Sequence, residues 1–281
     1  MKITVLLENA TPSSRFIAKH GLSLLLDAAT AAGPRRILFD VGPDESMLAN
    51  AQALGVDVAA VDAVVLSHGH ADHGGGLAAY LEATSAADQR APIFVRAGAF
   101  APHASGTVAQ HHAIGLDGTL AMHPRLVKTD MLNVLAPGLT LFSDVARAHA
   151  EPSSNSRLFE EREGCWQPDH FLHEQSLLVQ EGEHTVLIAG CAHAGILNIM
   201  DRAEELAGRP LDAVVGGFHL MSPSAGTVED PEAVRALAHE LSRRGARYYT
   251  FHCTGLAAYS ILRDELGDRV QYLCCGSSVE V

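Results

Sequence analysis

Residues 67–76 read Ser-His-Gly-His-Ala-Asp-His-Gly-Gly-Gly and place three imidazoles and one carboxylate within six residues: His68, His70, Asp72 and His73. His68 and His70 stand two apart, so in an extended segment they face the same way. Asp72 and His73 follow where the chain would turn into a helix, so they approach from another side. Imidazole and carboxylate together suit zinc, iron or manganese. The pattern offers one metal to His68 and His70 and a second to Asp72 and His73. Val64, Val65 and Leu66 precede it and read as a buried strand running into the site. The plain alternative is a metal-free, histidine-rich turn. Four ligand-type residues directly after an apolar strand argue against it.

Three later segments repeat this layout of an apolar strand ending in ligand-type residues. Val186–Ile188 runs into Gly190-Cys191-Ala192-His193-Ala194-Gly195, Asp212–Val215 into Gly216-Gly217-Phe218-His219, and Tyr248–Phe251 into His252-Cys253-Thr254-Gly255. The C-terminal ends of strands are where α/β proteins place their chemistry. The glycines beside them let the backbone come close to a metal or ligand.

The elements that must position these groups alternate along the chain. Strands are expected at Lys2–Leu7, Gly21–Leu26, Arg36–Phe39, Asp62–Leu66, Pro92–Val95, Leu126–Lys128 and Leu139–Phe142. Gln175–Gln180 and Thr185–Ala189 form a hairpin, and Asp212–Val215, Arg247–Phe251 and Val270–Leu273 are further strands. Helical spacing covers Asp44–Leu54, with Asp44 as N-cap, and then about Gly76–Ala83, Ile196–Ala207, Pro231–Arg243 and Leu256–Leu266. This order predicts two sheets packed face to face with helices outside. Residues 98–170 are rich in Gly, Pro, His, Ser and Asn and read as a loop-rich insertion near the active site. The 281 residues fit one large α/β domain.

Hydrophobic residues make up 47% and aromatics 5%, which predicts an aliphatic core. Twenty basic against 33 acidic residues leave a net charge of −13, and no basic run is present, so nucleic acid and membrane surfaces are not expected partners. The N-terminal stretch is charged too early for a signal peptide, and no apolar stretch reaches the ~18 residues of a membrane span. Five cysteines, Cys165, Cys191, Cys253, Cys274 and Cys275, are an odd count that argues against a secreted disulfide framework and for a reducing cytoplasm.

These residues resemble the metallo-β-lactamase fold superfamily. The His68-x-His70-x-Asp72-His73 run is its most specific signature, and Leu38-Phe39-Asp40-Val41-Gly42 is similar to its first motif. His20-Gly21-Leu22-Ser23-Leu24-Leu25 and the motifs at 190–195, 217–220 and 252–255 are similar to one subfamily. Its members are described as metal-dependent hydrolases or as the dihydropterin–ribofuranosylaminobenzene 5′-phosphate synthase of methanopterin biosynthesis. The resemblance covers nearly the whole chain and is weakest over residues 98–165. It implies an αβ/βα sandwich of four layers with the metal site at one edge between the sheets.

The resemblance also implies roles. Asp40 orients the ligand loop rather than binding metal. His252 stands where the final histidine ligand falls. Cys191 stands where many members place a bridging aspartate, and a thiolate there changes the preferred metal. His193 is the first choice for the third histidine of the first metal. His170 and His173 are rivals, because they precede the strand where many members carry that ligand. His219 is assigned to substrate or an oxyanion, and Asp72 to holding the attacking water as well as metal.

The implied chemistry is hydrolysis by a metal-bound hydroxide, with one or two divalent ions, zinc foremost and manganese or iron as substitutes. The implied substrate is a small phosphate-bearing molecule, pterin-like among others, or an ester. Two alternatives stand beside this reading: an iron-dependent oxidoreductase on the same fold and a metal-dependent binding protein without turnover. The redox reading usually needs a flavin or other partner domain, for which 281 residues leave no room. A homodimer is expected only by analogy with such enzymes.

Overall fold

The computed structural model describes residues 1–87, 90–107, 109–222 and 226–281. Strand alternation sets its layers. Leu24, Leu26, Ile37, Phe39 and Val65 meet Leu141, Leu177, Val179, Ile188 and Val215 in one buried cluster between two sheets. Their neighbours along the strands, Leu25, Leu38 and Val64, face the opposite way, as a period of two requires. They pack on Met47 and Ala51 of the helix Ser46–Leu54 and on Leu77 and Tyr80 of the helix Leu77–Ala83. On the far side, Leu178, Leu187, Val214 and Tyr248 pack on the helices Ile196–Ala207, Pro231–Ser242 and Leu256–Leu266. The layer order is helix, sheet, sheet, helix, which is the four-layer αβ/βα sandwich expected from the sequence. Covering both faces of each sheet explains why the strands read as unbroken apolar runs.

Among the described residues each main sheet has seven strands. In the first, Ser278–Glu280, Lys2–Leu7, Ser23–Thr30 and Gly33–Phe39 run antiparallel to one another, and Ala63–Val65, Ile93–Arg96 and Leu126–Thr129 continue parallel. In the second, Leu132–Ala136, Leu139–Phe142, Ser176–Glu181 and His184–Ile188 are antiparallel, and Ala213–Val215, Arg247–Thr250 and Val270–Tyr272 continue parallel. The ligand-type motifs follow the C-terminal ends of Ala63–Val65, His184–Ile188, Ala213–Val215 and Arg247–Thr250.

Residues 98–170 depart from the loop-rich reading. Among the described residues they hold seven strands. Leu126–Thr129 closes an edge of the first sheet, and Leu132–Ala136 and Leu139–Phe142 close an edge of the second. The other four, in the order Cys165–Pro168, Leu158–Arg162, His103–Gly106 and His111–Ala113, form a separate antiparallel sheet. The N-cap reading at Asp44 also shifts. The helix starts at Ser46 after Glu45, whose side chain makes no cap bond. Asp44 instead accepts from the Ser46 N–H at 3.0 Å while pairing with Lys19. Among the described residues no helix is long and apolar enough to cross a membrane.

Candidate metal centre

The strand Ala63–Val65 delivers Ser67 to the edge, and a four-residue helical turn, Ala71–Gly74, follows at once. The extended part aims His68 and His70 inward, and the turn brings Asp72 and His73 round beside them. Gly75 and Gly76 let this turn lie against the backbone of Pro43 and Val41, where a Cβ would overlap their carbonyl oxygens.

Asp40 organises the centre from beneath, in a left-handed backbone conformation (φ 61°). Its carboxylate accepts from Ser67 N–H at 2.7 Å, from Ser67 Oγ at 2.7 Å and from His73 Nδ1 at 2.6 Å. With its proton given to Asp40, Ser67 Oγ accepts from His68 Nδ1 at 2.8 Å. Asn9 donates from Nδ2 to the His252 carbonyl at 3.2 Å, so its Oδ1 accepts from His252 Nδ1 at 2.8 Å. Asn155 does the same for His193, with Nδ2 on the carbonyl at 2.8 Å and Oδ1 on Nδ1 at 3.1 Å. Four imidazoles thus spend their Nδ1–H groups outward, and this bonding pattern assigns bare lone pairs to the inward Nε2 atoms.

Those inward atoms face one another. His68 Nε2 lies 3.4 Å from His193 Nε2, and His73 Nε2 lies 3.1 Å from both His252 Nε2 and Cys191 Sγ. Buried lone pairs opposed at this range repel unless a cation sits between them. The Nε2 of His70 is also buried and has no hydrogen-bond partner among the described residues. Asp72 Oδ2 approaches His252 Nε2 at 3.3 Å and the half-exposed His20 at 3.2 Å. The donors fall into two sets, His68 with His70 and His193, and Asp72 with His252 and His20. Cys191 groups with His68 and His73, which puts one thiol between the two sets. Neutral imidazole, carboxylate and thiolate at this spacing fit one or two divalent ions.

The electrostatics agree with that fit. Burial holds His68, His70 and His193 well below the ordinary histidine range, so they stay neutral and able to ligate. Burial lowers His252 as well, against the opposing pull of Asp72. His73 goes the other way: burial opposes its charge, but the Asp40 and Asp72 carboxylates outweigh it and push it up to about 9. The two carboxylates therefore favour one positive charge at His73, and a proton or a metal ion can supply it. Burial disfavours the Asp72 anion, yet His73, His20 and His252 hold its carboxyl well below the usual range.

The three histidines considered for the third position separate clearly. His193 joins His68 and His70. His170 is exposed at the surface. His173 lies behind the ligand loop, where its Nδ1 accepts from the Gly69 N–H at 2.9 Å and its Nε2 donates to Asp169 at 3.1 Å. His103, from the separate sheet, donates to the same Asp169 oxygen at 3.0 Å. Sequence reasoning named none of Asn9, Asn155, Asp169, His103 or Glu174. Glu174 accepts from the backbone of His193 at 2.7 Å and of Ala194 at 2.9 Å, fixing that loop. Lone polar residues in irregular stretches carry no periodic signal, so nothing in the sequence pointed to them. His20 was legible only as part of a motif, and here it pairs with Asp72.

A cavity of about 420 Å³ opens over the centre and is lined by His20, Asp72, His112, Cys191, His193 and His219 among others. Its walls include Ile114, Leu158 and Met221, so it offers imidazoles on an otherwise largely apolar surface. That volume suits a small molecule.

Comparison with known proteins follows the same lines. The sequence model of the metallo-β-lactamase superfamily matches residues 32–203. The chain is 26% identical to the 7,8-dihydropterin-6-methyl-4-(β-D-ribofuranosyl)-aminobenzene-5′-phosphate synthase of Methanocaldococcus jannaschii, over 100% of this chain and 96% of that protein. It superposes on the crystal structure of a metal-dependent hydrolase of the β-lactamase superfamily with a TM-score of 0.81 and 27% identity, covering 100% and 99% of the two chains. Zinc-bound PqqB of Methylobacterium extorquens, 14% identical with a TM-score of 0.54 over 100% of both chains, shares the fold.

Proposed function

The chain belongs to the metallo-β-lactamase superfamily, and on that premise we propose that it is a metal-dependent hydrolase acting on a small phosphate-bearing or ester substrate. The observation that carries this reading is two facing pairs of buried Nε2 atoms beneath an open cavity, His68 with His193 at 3.4 Å and His73 with His252 at 3.1 Å. Zinc is the metal we assign first: His68, His70 and His193 would hold one ion, and Asp72, His73 and His252 would hold a second, with the Cys191 thiol close to both sets. When bound, such ions polarise the oxygen under attack and lower the pKa of water from ~15.7 to about 7. Asp72, ionised and beside His252 and His20, accepts a hydrogen bond from the attacking water and so orients it. His219 lines the cavity and donates to the oxygen that gains negative charge. The apolar walls exclude bulk water from the reacting atoms.

The synthase name of the Methanocaldococcus relative supports a phosphate-bearing substrate and places pterin-like molecules among the first to try. The acidic balance of −13 supports a free small molecule over a nucleic acid or membrane surface. Five free cysteines suit a reducing compartment such as the cytoplasm.

The test is elemental analysis of purified wild type beside His68→Ala, followed by a panel of phosphomonoesters, phosphodiesters and carboxylic esters. We expect one to two zinc or manganese ions per wild-type chain, loss in the variant, and turnover that a chelator abolishes. Iron in the wild type would favour an oxidoreductase. A metal-loaded protein that turns over no member of the panel would overturn the hydrolase reading.

A further inference from the structure

One group at the floor of the cavity is only partly used by the proposed centre. Cys191, His219 and Cys253 bring two sulfurs and an imidazole nitrogen within 4.8 Å of one another, and all three residues are buried. They arrive on three separate loops, after the strands His184–Ile188, Ala213–Val215 and Arg247–Thr250. Both thiols are free, and Cys253 Sγ lies 3.7 Å from the Cys191 carbonyl.

The loops are shaped around this group. Gly217 has no side chain where a Cβ would overlap Cys253 Sγ, so its backbone closes directly on the sulfur. The Gly217 N–H donates to the Gly190 carbonyl at 2.8 Å, which ties the two loops together. His219 is held in a left-handed conformation (φ 51°) by a bond from Ser154 Oγ to its carbonyl at 2.9 Å. Its Nδ1 is buried and has no hydrogen-bond partner among the described residues. A strained backbone and an unsatisfied buried nitrogen both cost stability, and they persist where function retains them.

We propose that Cys191, His219 and Cys253 form a site for a thiophilic cation of the zinc, cadmium or copper(I) class, sharing Cys191 with the histidine centre. Two thiolates and one imidazole are a soft donor set, whereas the other two sets are built mainly from nitrogen and oxygen. Binding replaces the two thiol protons, which pass to solvent. The His219 nitrogen nearer the sulfurs takes the ion, and its other nitrogen keeps the role proposed above. A soft metal therefore enters at the floor of the cavity and draws Cys191 away from His73, so that thiophilic and harder ions compete for one bridging sulfur.

This goes beyond the hydrolase reading and has a separate readout. Reduced, metal-free protein carrying Cys165→Ser, which removes the exposed thiol, is titrated with cadmium while the ultraviolet sulfur-to-cadmium charge-transfer band is followed. The band should correspond to two thiolates on one ion. Cys253→Ser should cut it by about half and weaken binding ~10-fold or more, and His219→Ala should weaken binding comparably. Circular dichroism checks that both variants fold. If Cys253→Ser keeps the full band and affinity, the proposal is wrong, whatever the zinc content or turnover of His68→Ala. A band of one thiolate per ion in the parent protein would equally overturn it.

Discussion

His73 and His252 point their Nε2 atoms at each other across 3.1 Å, although the hydrogen bonds on their far sides give both atoms lone pairs. The chain brings them together from positions 179 residues apart. Two anchors hold them there, Asp40 behind His73 and Asn9 behind His252. With both rings neutral the contact is unfavourable; a second proton on His73, which Asp40 and Asp72 favour, or a metal cation between the rings converts it into a gain.

Asp40→Asn tests the stronger anchor. Asparagine tolerates the left-handed conformation that Asp40 adopts, so the substitution removes charge with little added strain. One amide oxygen cannot replace the carboxylate toward Ser67 and His73 together. We expect metal affinity to fall ~10–100-fold while the fold persists. Chelator competition measures the first and circular dichroism the second; unchanged affinity would remove Asp40 from the centre.

The raised pKa of His73 gives the metal-free protein a distinctive pH dependence. Its folded value of about 9 lies above the ordinary histidine value of 6.5. The stability it contributes is full below 6.5 and is lost as pH rises through about 9. The loss is roughly 3–4 kcal/mol, since each pH unit between the two values is worth ~1.4 kcal/mol. A bound ion replaces the proton and removes the dependence over that window. Thermal melts of metal-free and metal-loaded protein between pH 6 and 10 should therefore diverge with rising pH. Parallel curves would show that His73 does not exchange a proton for metal.

The fold was legible because buried strands and amphipathic helices leave periodic marks. Leu24 to Leu26, Val64–Val65 and Leu177–Val179 announced strands, and the 196–207 and 256–266 helices appeared at their full lengths. The ligand residues were legible because they follow such strands in short motifs. His103–Gly106 and His111–Ala113 were not, because they are short and polar and were masked by neighbouring Gly, Pro and Ser. Tertiary pairing, not local propensity, makes them strands. Asp169 shows the cost of missing that sheet, since its role depends on partners 66 residues before it and four residues after it.

Asp169 joins the separate sheet to the ligand loop through His103 on one side and His173, which carries the Gly69 N–H, on the other. Both histidines donate to the same oxygen, Oδ2, while Oδ1 accepts from Phe171 N–H at 2.6 Å. Burial disfavours the anion, but these donors hold its carboxyl well below the usual range. In Asp169→Asn the amide has only one oxygen, so either the two imidazoles or the Phe171 N–H must face an NH₂ group. Leaving a buried donor unsatisfied costs ~1–3 kcal/mol. Loosening Gly69, which lies between His68 and His70, should also reduce turnover more than metal content. The measurement is Tm, metal per chain and kcat on the same sample. A variant with lower Tm but unchanged kcat would confine Asp169 to holding the sheet, and one that loses its metal outright would make it part of the centre itself.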